Sequence, residues 1–151
     1  MIKAKFKNTR YSAEGAPLLH IAEEMAKAYG YTANLKTDKE LAQLIRLRIA
    51  TLNQCSYCSI LHHNVCRELG INQEKTDCLG SYWESELYSE KEKAALLYAD
   101  ALNIGKGKTF DDAHQQMLRF FTVDEIAEVA AIVINMNLWT RIKLAQGVVP
   151  Y

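Results

Sequence analysis

Proline is nearly missing. The chain has two in 151 residues, Pro17 and Pro150, and nothing between them carries that helix-breaking ring. An excess of charge of either sign is missing too: eighteen Lys and Arg stand against eighteen Asp and Glu. That balance excludes a nucleic-acid or anionic-membrane partner recruited by charge alone. Long hydrophobic runs are absent. The longest, IAEVAAIVINMNLW, is interrupted by Glu128, Asn135 and Asn137, and is too short and too polar to span a bilayer. The opening MIKAKFKNTRYSAEG has positive charge with no apolar stretch behind it, so no signal peptide is expected. The expectation is a cytoplasmic protein with no membrane partner. Repeats, low-complexity tracts and linkers are also lacking, and the length suits one domain over residues 1–151. Strand signals are poor.

What is present is helix punctuation. A first helix is expected from about Pro17 to Tyr29, with Gly30 just past its end. TDKE reads as a capping box in which Thr37 caps and Glu40 reaches back. The helix it opens carries Leu41, Leu44, Ile45 and Leu52 on one face and Leu47 and Ala50 on another, as a central helix would. A third helix runs from about Cys55 to Leu69, before Gly70, and Asn72 caps a short fourth reaching Leu79. SEKE from Ser89 opens a helix to about Leu102. GKGK over 105–108 is a turn, followed by a helix from Phe110 to Phe120. Thr122 and Glu125 cap a long last helix to about Ala145. The fold class is therefore all-α, six or seven helices in a compact bundle. The last helix is apolar nearly all round from Ile126 to Leu138, which predicts burial on every side, in part by a second subunit.

Cysteine is concentrated. NQCSYCSILHHNVC, residues 53–66, holds three of the four cysteines and two of the four histidines. At about 100° per residue, Cys55, Cys58 and His62 fall on one helical stripe, and Cys66 continues it. Cys55 and Cys58 occupy a helix start, where free N–H groups and the helix dipole favour a thiolate. One thiol can attack and the other resolve the product, while His62 takes or returns a proton. Helix position favours Cys55 as the attacking thiol; nearness to His62 favours Cys58. Reduced compartments make such a pair catalytic or metal-binding rather than a structural staple. A metal is disfavoured by geometry. Four ligands along one stripe span about 16 Å, against Zn–S bonds of about 2.3 Å. No metal and no cofactor are expected. Cys66 and Cys78 read as small buried hydrophobes. His63 points a quarter turn off the stripe, towards a surface or interface, and His20 and His114 have no constellation around them. Arg48, on an apolar helix face, reads as an ion-pair or carbonyl contact between helices. Tyr57 is placed to shape the approach to the sulfurs. Tyr82, Trp83 and Trp139 read as core or subunit contact.

LIRLRIATLNQCSYCSILHHNVCRELGI, with SEKEKAALLYADAL and FTVDEIAEVAAIVINMNLWTRI beyond it, resembles the carboxymuconolactone decarboxylase-like superfamily. Within it the resemblance is to the alkylhydroperoxidase D-like, peroxidase-related branch, and covers roughly residues 15 to 145. The resemblance implies an all-helical homo-oligomer, a trimer or hexamer. It implies a thiol peroxidase or disulfide oxidoreductase acting on a hydroperoxide or other small molecule, or on a partner protein's disulfide, with a thiol protein as electron donor. Cys55 and Cys58 match its redox pair and His62 its relay histidine. The relay glutamate is replaced by Gln43, which cannot carry a proton but can position His62 or a water. Gln54 stands where the family often has glycine. Two rivals remain: a decarboxylase acting on a small lactone acid, which would not need the pair, and a non-catalytic redox switch.

Overall fold

The computed structural model describes residues 3–12, 14, 17–105 and 107–151. Among these, seven α-helices and one 3-10 segment surround a single core, and one short strand pair closes the bundle. The elements are β1 (Phe6–Asn8), α1 (Leu19–Tyr29), α2 (Lys39–Leu52), α3 (Ser56–Glu68), α4 (Gln73–Asp77), a 3-10 segment (Leu79–Glu84), α5 (Glu90–Ile104), α6 (Gly107–Met117), α7 (Val123–Gln146) and β2 (Val148–Pro150).

α2 is the axis of the molecule. Its residues from Leu41 to Ala50 are all buried, and it packs against α3, α5 and α7. Leu44, Ile45, Leu47 and Ile49 meet Leu96 of α5 and Val129, Ile132 and Val133 of α7 in the centre. Two strong polar contacts fix the helix among its neighbours. Arg48 makes a bidentate pair with Asp100 of α5, at 2.8 and 3.1 Å, and the Tyr82 hydroxyl donates to the same carboxylate at 3.0 Å. The ion-pair reading of Arg48 is therefore the correct one.

Two capping boxes appear where the sequence places them, Ser89 with Glu92 and Thr122 with Glu125. The third does not. Asp38, not Thr37, caps α2, accepting from the Leu41 N–H at 3.0 Å. Aspartate is the better cap. Thr37 is held by Glu128 of α7, which also accepts the Lys36 and Thr37 N–H groups, at 3.0 and 2.7 Å. Glu40 instead pairs with Lys75 at 2.8 Å. Other boundaries shift. α1 starts at Leu19 rather than Pro17, and α4 stops at Asp77 before the 3-10 segment. α5 continues to Ile104, and α6 takes in Gly107 and Lys108 and ends at Met117.

Two findings correct the sequence reading more sharply. Phe6–Asn8 and Val148–Pro150 form an antiparallel pair, with Lys7 opposite Val149. Three residues per strand are too few to show an alternating pattern. The turn into this pair is Gly147, at φ 65°, where a Cβ would meet the Thr9 hydroxyl at 2.1 Å. α7 also departs from complete burial, since Ile134 is 54% exposed in the protomer. No described helix is long and apolar enough to cross a membrane.

Candidate active site

The site begins at the junction of α2 and α3. Asn53 ends α2 and is held by α5 and α7: it donates to Asn137 at 3.2 Å and Thr140 at 3.0 Å, and accepts from Asn103 at 3.0 Å. Gln54 then turns the chain with φ 55°. This left-handed conformation costs a residue with a Cβ about 1–2 kcal/mol. It also explains why glycine suits the position. The turn delivers Cys55 as the N-cap of α3, its Sγ accepting from the Cys58 N–H at 3.3 Å.

Cys58 lies one turn on, and the two sulfurs are 2.6 Å apart with both thiols free. Both residues are buried, 2% and 3% exposed. One proton is shared between them. The bond from Cys58, with the Cys58 backbone N–H and the positive charge of Lys143, outweighs burial and brings the Cys55 thiol down to about 7. Cys58 is pushed far up by the bond to Cys55, by burial and by the charge on Cys55. The negative charge therefore rests on Cys55, at the helix start.

Cys58, and not Cys55, lines a partly enclosed cavity of about 240 Å³ between α1, α2, α3 and α7. Tyr57, Leu61 and Met136 contribute to its walls, which are mainly apolar. Tyr57 is braced from behind by Phe6 of β1, edge-on at 4.9 Å, and the Lys143 ammonium lies 4.6 Å from its ring centre.

His62 lines the same cavity and is 5% exposed. Its ring is neutral at any ordinary pH: burial, then Arg46, then His63 bring its pKa down to about 3. Gln43, fully buried on α2, faces it. The Gln43 amide nitrogen is 3.0 Å from His62 Nδ1 and 3.0 Å from the His62 carbonyl oxygen. Its oxygen accepts from Arg46 at 3.4 Å. Turning the amide over would set its oxygen against the His62 carbonyl and its NH₂ against the guanidinium, so the orientation is fixed. Gln43 thus donates to Nδ1, and the proton of the neutral ring sits on Nε2. In this arrangement His62 is a hydrogen-bond donor rather than a base.

The structure gathers Cys55, Cys58, His62 and Gln43 at one place. Cys66 is buried on α3, its thiol pushed up to about 11, chiefly by burial. Cys78 is half-buried outside the site. His63 is half-buried beside a different hollow, with Cys66 and Asp77. No group of three His, Cys, Asp or Glu side chains among the described residues is placed to hold a metal. Three contributors escaped the sequence reading. Arg46, 4% exposed, donates to the Tyr29 and Gly30 carbonyls at 3.1 and 2.9 Å. Asn135 and Lys143 line the cavity with Trp139, which is a cavity wall rather than core. Their signal was available: 135, 139 and 143 recur every four residues, one polar and aromatic stripe on an apolar helix.

The comparisons with known proteins agree with this architecture. The sequence profile of the carboxymuconolactone decarboxylase family matches residues 19–101. The uncharacterized protein YdfG of Bacillus subtilis (strain 168) is 25% identical over 118 residues, 78% of this chain and 80% of that protein. A protein of unknown function from Agrobacterium tumefaciens, proposed as the antioxidant defence protein AhpD, has the same fold. Its TM-score is 0.83 at 23% identity, covering 93% of this chain and 96% of that one. A peroxidase-related protein from Silicibacter sp. TM1040 superposes with a TM-score of 0.75 at 17% identity, covering 88% of this chain and 70% of that one. The chain belongs to the carboxymuconolactone decarboxylase family, with an AhpD-like fold.

Proposed function

We propose that this member of the carboxymuconolactone decarboxylase family is a thiol-dependent oxidoreductase, whose Cys55–Cys58 pair reduces a hydroperoxide admitted to the cavity. The observation that carries the reading is the placement of two free sulfurs 2.6 Å apart with only Cys58 on the cavity wall. No backbone movement is needed to close a disulfide of about 2.05 Å from there.

The order of events follows from that placement. The shared proton shifts to Cys55, leaving a thiolate on Cys58. The Cys58 sulfur attacks the outer peroxide oxygen, the O–O bond breaks, and the departing alkoxide takes the proton from Cys55. His62, donating from Nε2, stabilises the charge on that oxygen as it leaves. Cys58 is now a sulfenic acid and Cys55 a thiolate. Cys55 attacks the Cys58 sulfur and expels hydroxide, which solvent protonates to water. One hydroperoxide and one solvent proton have become an alcohol, a water and a disulfide. A dithiol, on a small molecule or a partner protein, returns two electrons by thiol–disulfide exchange.

This assigns attack to Cys58 and resolution to Cys55. The low pKa of Cys55 serves both steps: it holds the proton only briefly, and it is a thiolate when the sulfenic acid forms. The test is to give reduced protein limiting hydroperoxide, count the remaining thiols, and follow their return with a dithiol over repeated cycles. Disulfide formation without repeated turnover would leave only a redox switch. A lactone acid turned over by the Cys55→Ser, Cys58→Ser double variant would make the protein a decarboxylase instead.

A further inference from the structure

Arg46 presents a problem of charge. It is 4% exposed, and its three hydrogen bonds go to neutral oxygens: the Tyr29 and Gly30 carbonyls and the Gln43 amide. Its Nε has no acceptor among the described residues. None of the twelve side chains and backbones lining the cavity belongs to an aspartate or glutamate, although Arg46 and Lys143 are both there. Lys143 has a counter-charge close by in the Cys55 thiolate, which it helps to stabilise. Arg46 has only the carbonyl end of α1. That end carries a partial negative charge, which holds one edge of the guanidinium and caps the helix. Capping alone would not need the rest of the group buried at a cavity wall. A buried cation without a paired anion costs several kcal/mol.

Two more polar atoms are orphaned beside it. Asn135 Oδ1 and Trp139 Nε1 are buried without a partner, and both residues line the same cavity. His62 adds a further donor from Nε2. Unpaired donors, an unpaired cation and apolar walls on one small cavity form a complement to a ligand. At about 30 Å³ per water, 240 Å³ holds roughly eight waters, so the ligand is small.

We propose that the cavity beside Cys58 binds a small organic anion, a carboxylate on an apolar body, with Arg46 as its counter-ion and Trp139 as a supporting donor. The carboxylate takes the open side of the guanidinium. The body lies along Tyr57, Leu61 and Met136, and its far end faces the Cys58 sulfur. Within the thiol-oxidoreductase reading, which this deepens, the preferred oxidant is a hydroperoxide that also bears a carboxylate. The binding itself does not depend on that reading.

The test uses benzoate and its neutral isostere benzamide, titrated by calorimetry into the full chain carrying Cys55→Ser and Cys58→Ser, so that no redox step intervenes. Benzoate is expected to bind at least about tenfold more tightly than benzamide. Adding Arg46→Gln is expected to bring benzoate down to the benzamide level. Equal binding of the two probes, or no binding of either at millimolar concentration, would overturn the proposal. The ligand comparison decides the matter even if the Arg46 variant does not fold. A separate arm gives the wild-type protein a carboxylate-bearing hydroperoxide and a neutral one. A preference for the acid in kcat/KM supports the proposal. Failure to cycle with either, while benzoate still binds, removes the thiol reading and leaves the anion site standing.

Discussion

Gln43→Glu is the substitution that most directly examines the site. Glutamine at 43 is fully buried and donates to His62 Nδ1, which places the ring proton on Nε2. A glutamate of the same shape reverses the polarity. It accepts from Nδ1–H, leaves Nε2 as a base, and raises the His62 pKa from about 3. Its charge is met by Arg46, whose nitrogen lies 3.4 Å from the present amide oxygen. At an effective dielectric of about 20 that attraction is about 5 kcal/mol. Burying the carboxylate costs several kcal/mol. The His62 carbonyl also loses the donor it has at 3.0 Å, a further cost of about 1–3 kcal/mol. The terms nearly cancel, so the variant should fold with a loss of about 1–3 kcal/mol, read from denaturant melts. Catalysis should move the other way. A positioned general base contributes about 10²–10⁴-fold, and an increase of about 10² in hydroperoxide turnover is expected, with a new ionisation in the pH profile. Nitrogen NMR of the imidazole reports the tautomer independently. Unchanged turnover, together with a wild-type ring already protonated at Nδ1, would refute the account of Gln43.

Other consequences can be checked with simpler measurements. Lys143→Gln removes a cation that favours the Cys55 thiolate, so the thiol pKa should rise from about 7, as followed by thiolate ultraviolet absorbance. Asp100→Ala strands Arg48 and deprives Tyr82 of its acceptor; a loss of about 3–5 kcal/mol is expected in chemical denaturation. His62 has a folded pKa of about 3 against an ordinary value of about 6.5, so below about 6.5 the unfolded chain binds the extra proton. Stability should therefore fall as pH drops from about 6.5 towards 3, by up to about 1.4 kcal/mol per unit from this group, and His62→Asn should flatten that slope. Cys66→Ser should leave disulfide formation and thiol counts in the Cys55–Cys58 cycle unchanged.

The sequence made the helices legible because their signals are local. Ser89 with Glu92 and Thr122 with Glu125 meet their partners within three residues. Thr37 misled because its partner is Glu128, ninety-one residues away. The Cys55, Cys58 and His62 stripe was likewise local, and Gln43 was identified through the family resemblance. What a single sequence did not disclose is the polarity of the Gln43–His62 contact, which depends on Arg46. Nor did it show which arginine of the pair 46 and 48 lacks a carboxylate. Both lie on α2 and both are buried; only the packing reveals that Asp100 reaches one and carbonyls reach the other. The strand pair at residues 6–8 and 148–150 required two distant segments to meet, and neither carries a pattern of its own.

The cap of α3 is a sulfur atom that changes its charge during the proposed cycle. As a thiolate, Cys55 faces the free N–H groups of the helix start with a full negative charge; in a disulfide it keeps only a weak lone pair. The first turn of α3 would then be anchored less firmly in the oxidised protein, next to a residue, Gln54, already held in an unfavourable backbone region. Oxidation state would thus be written into local order at 53–58. A protease or an amide-exchange experiment could read it there without touching the sulfurs.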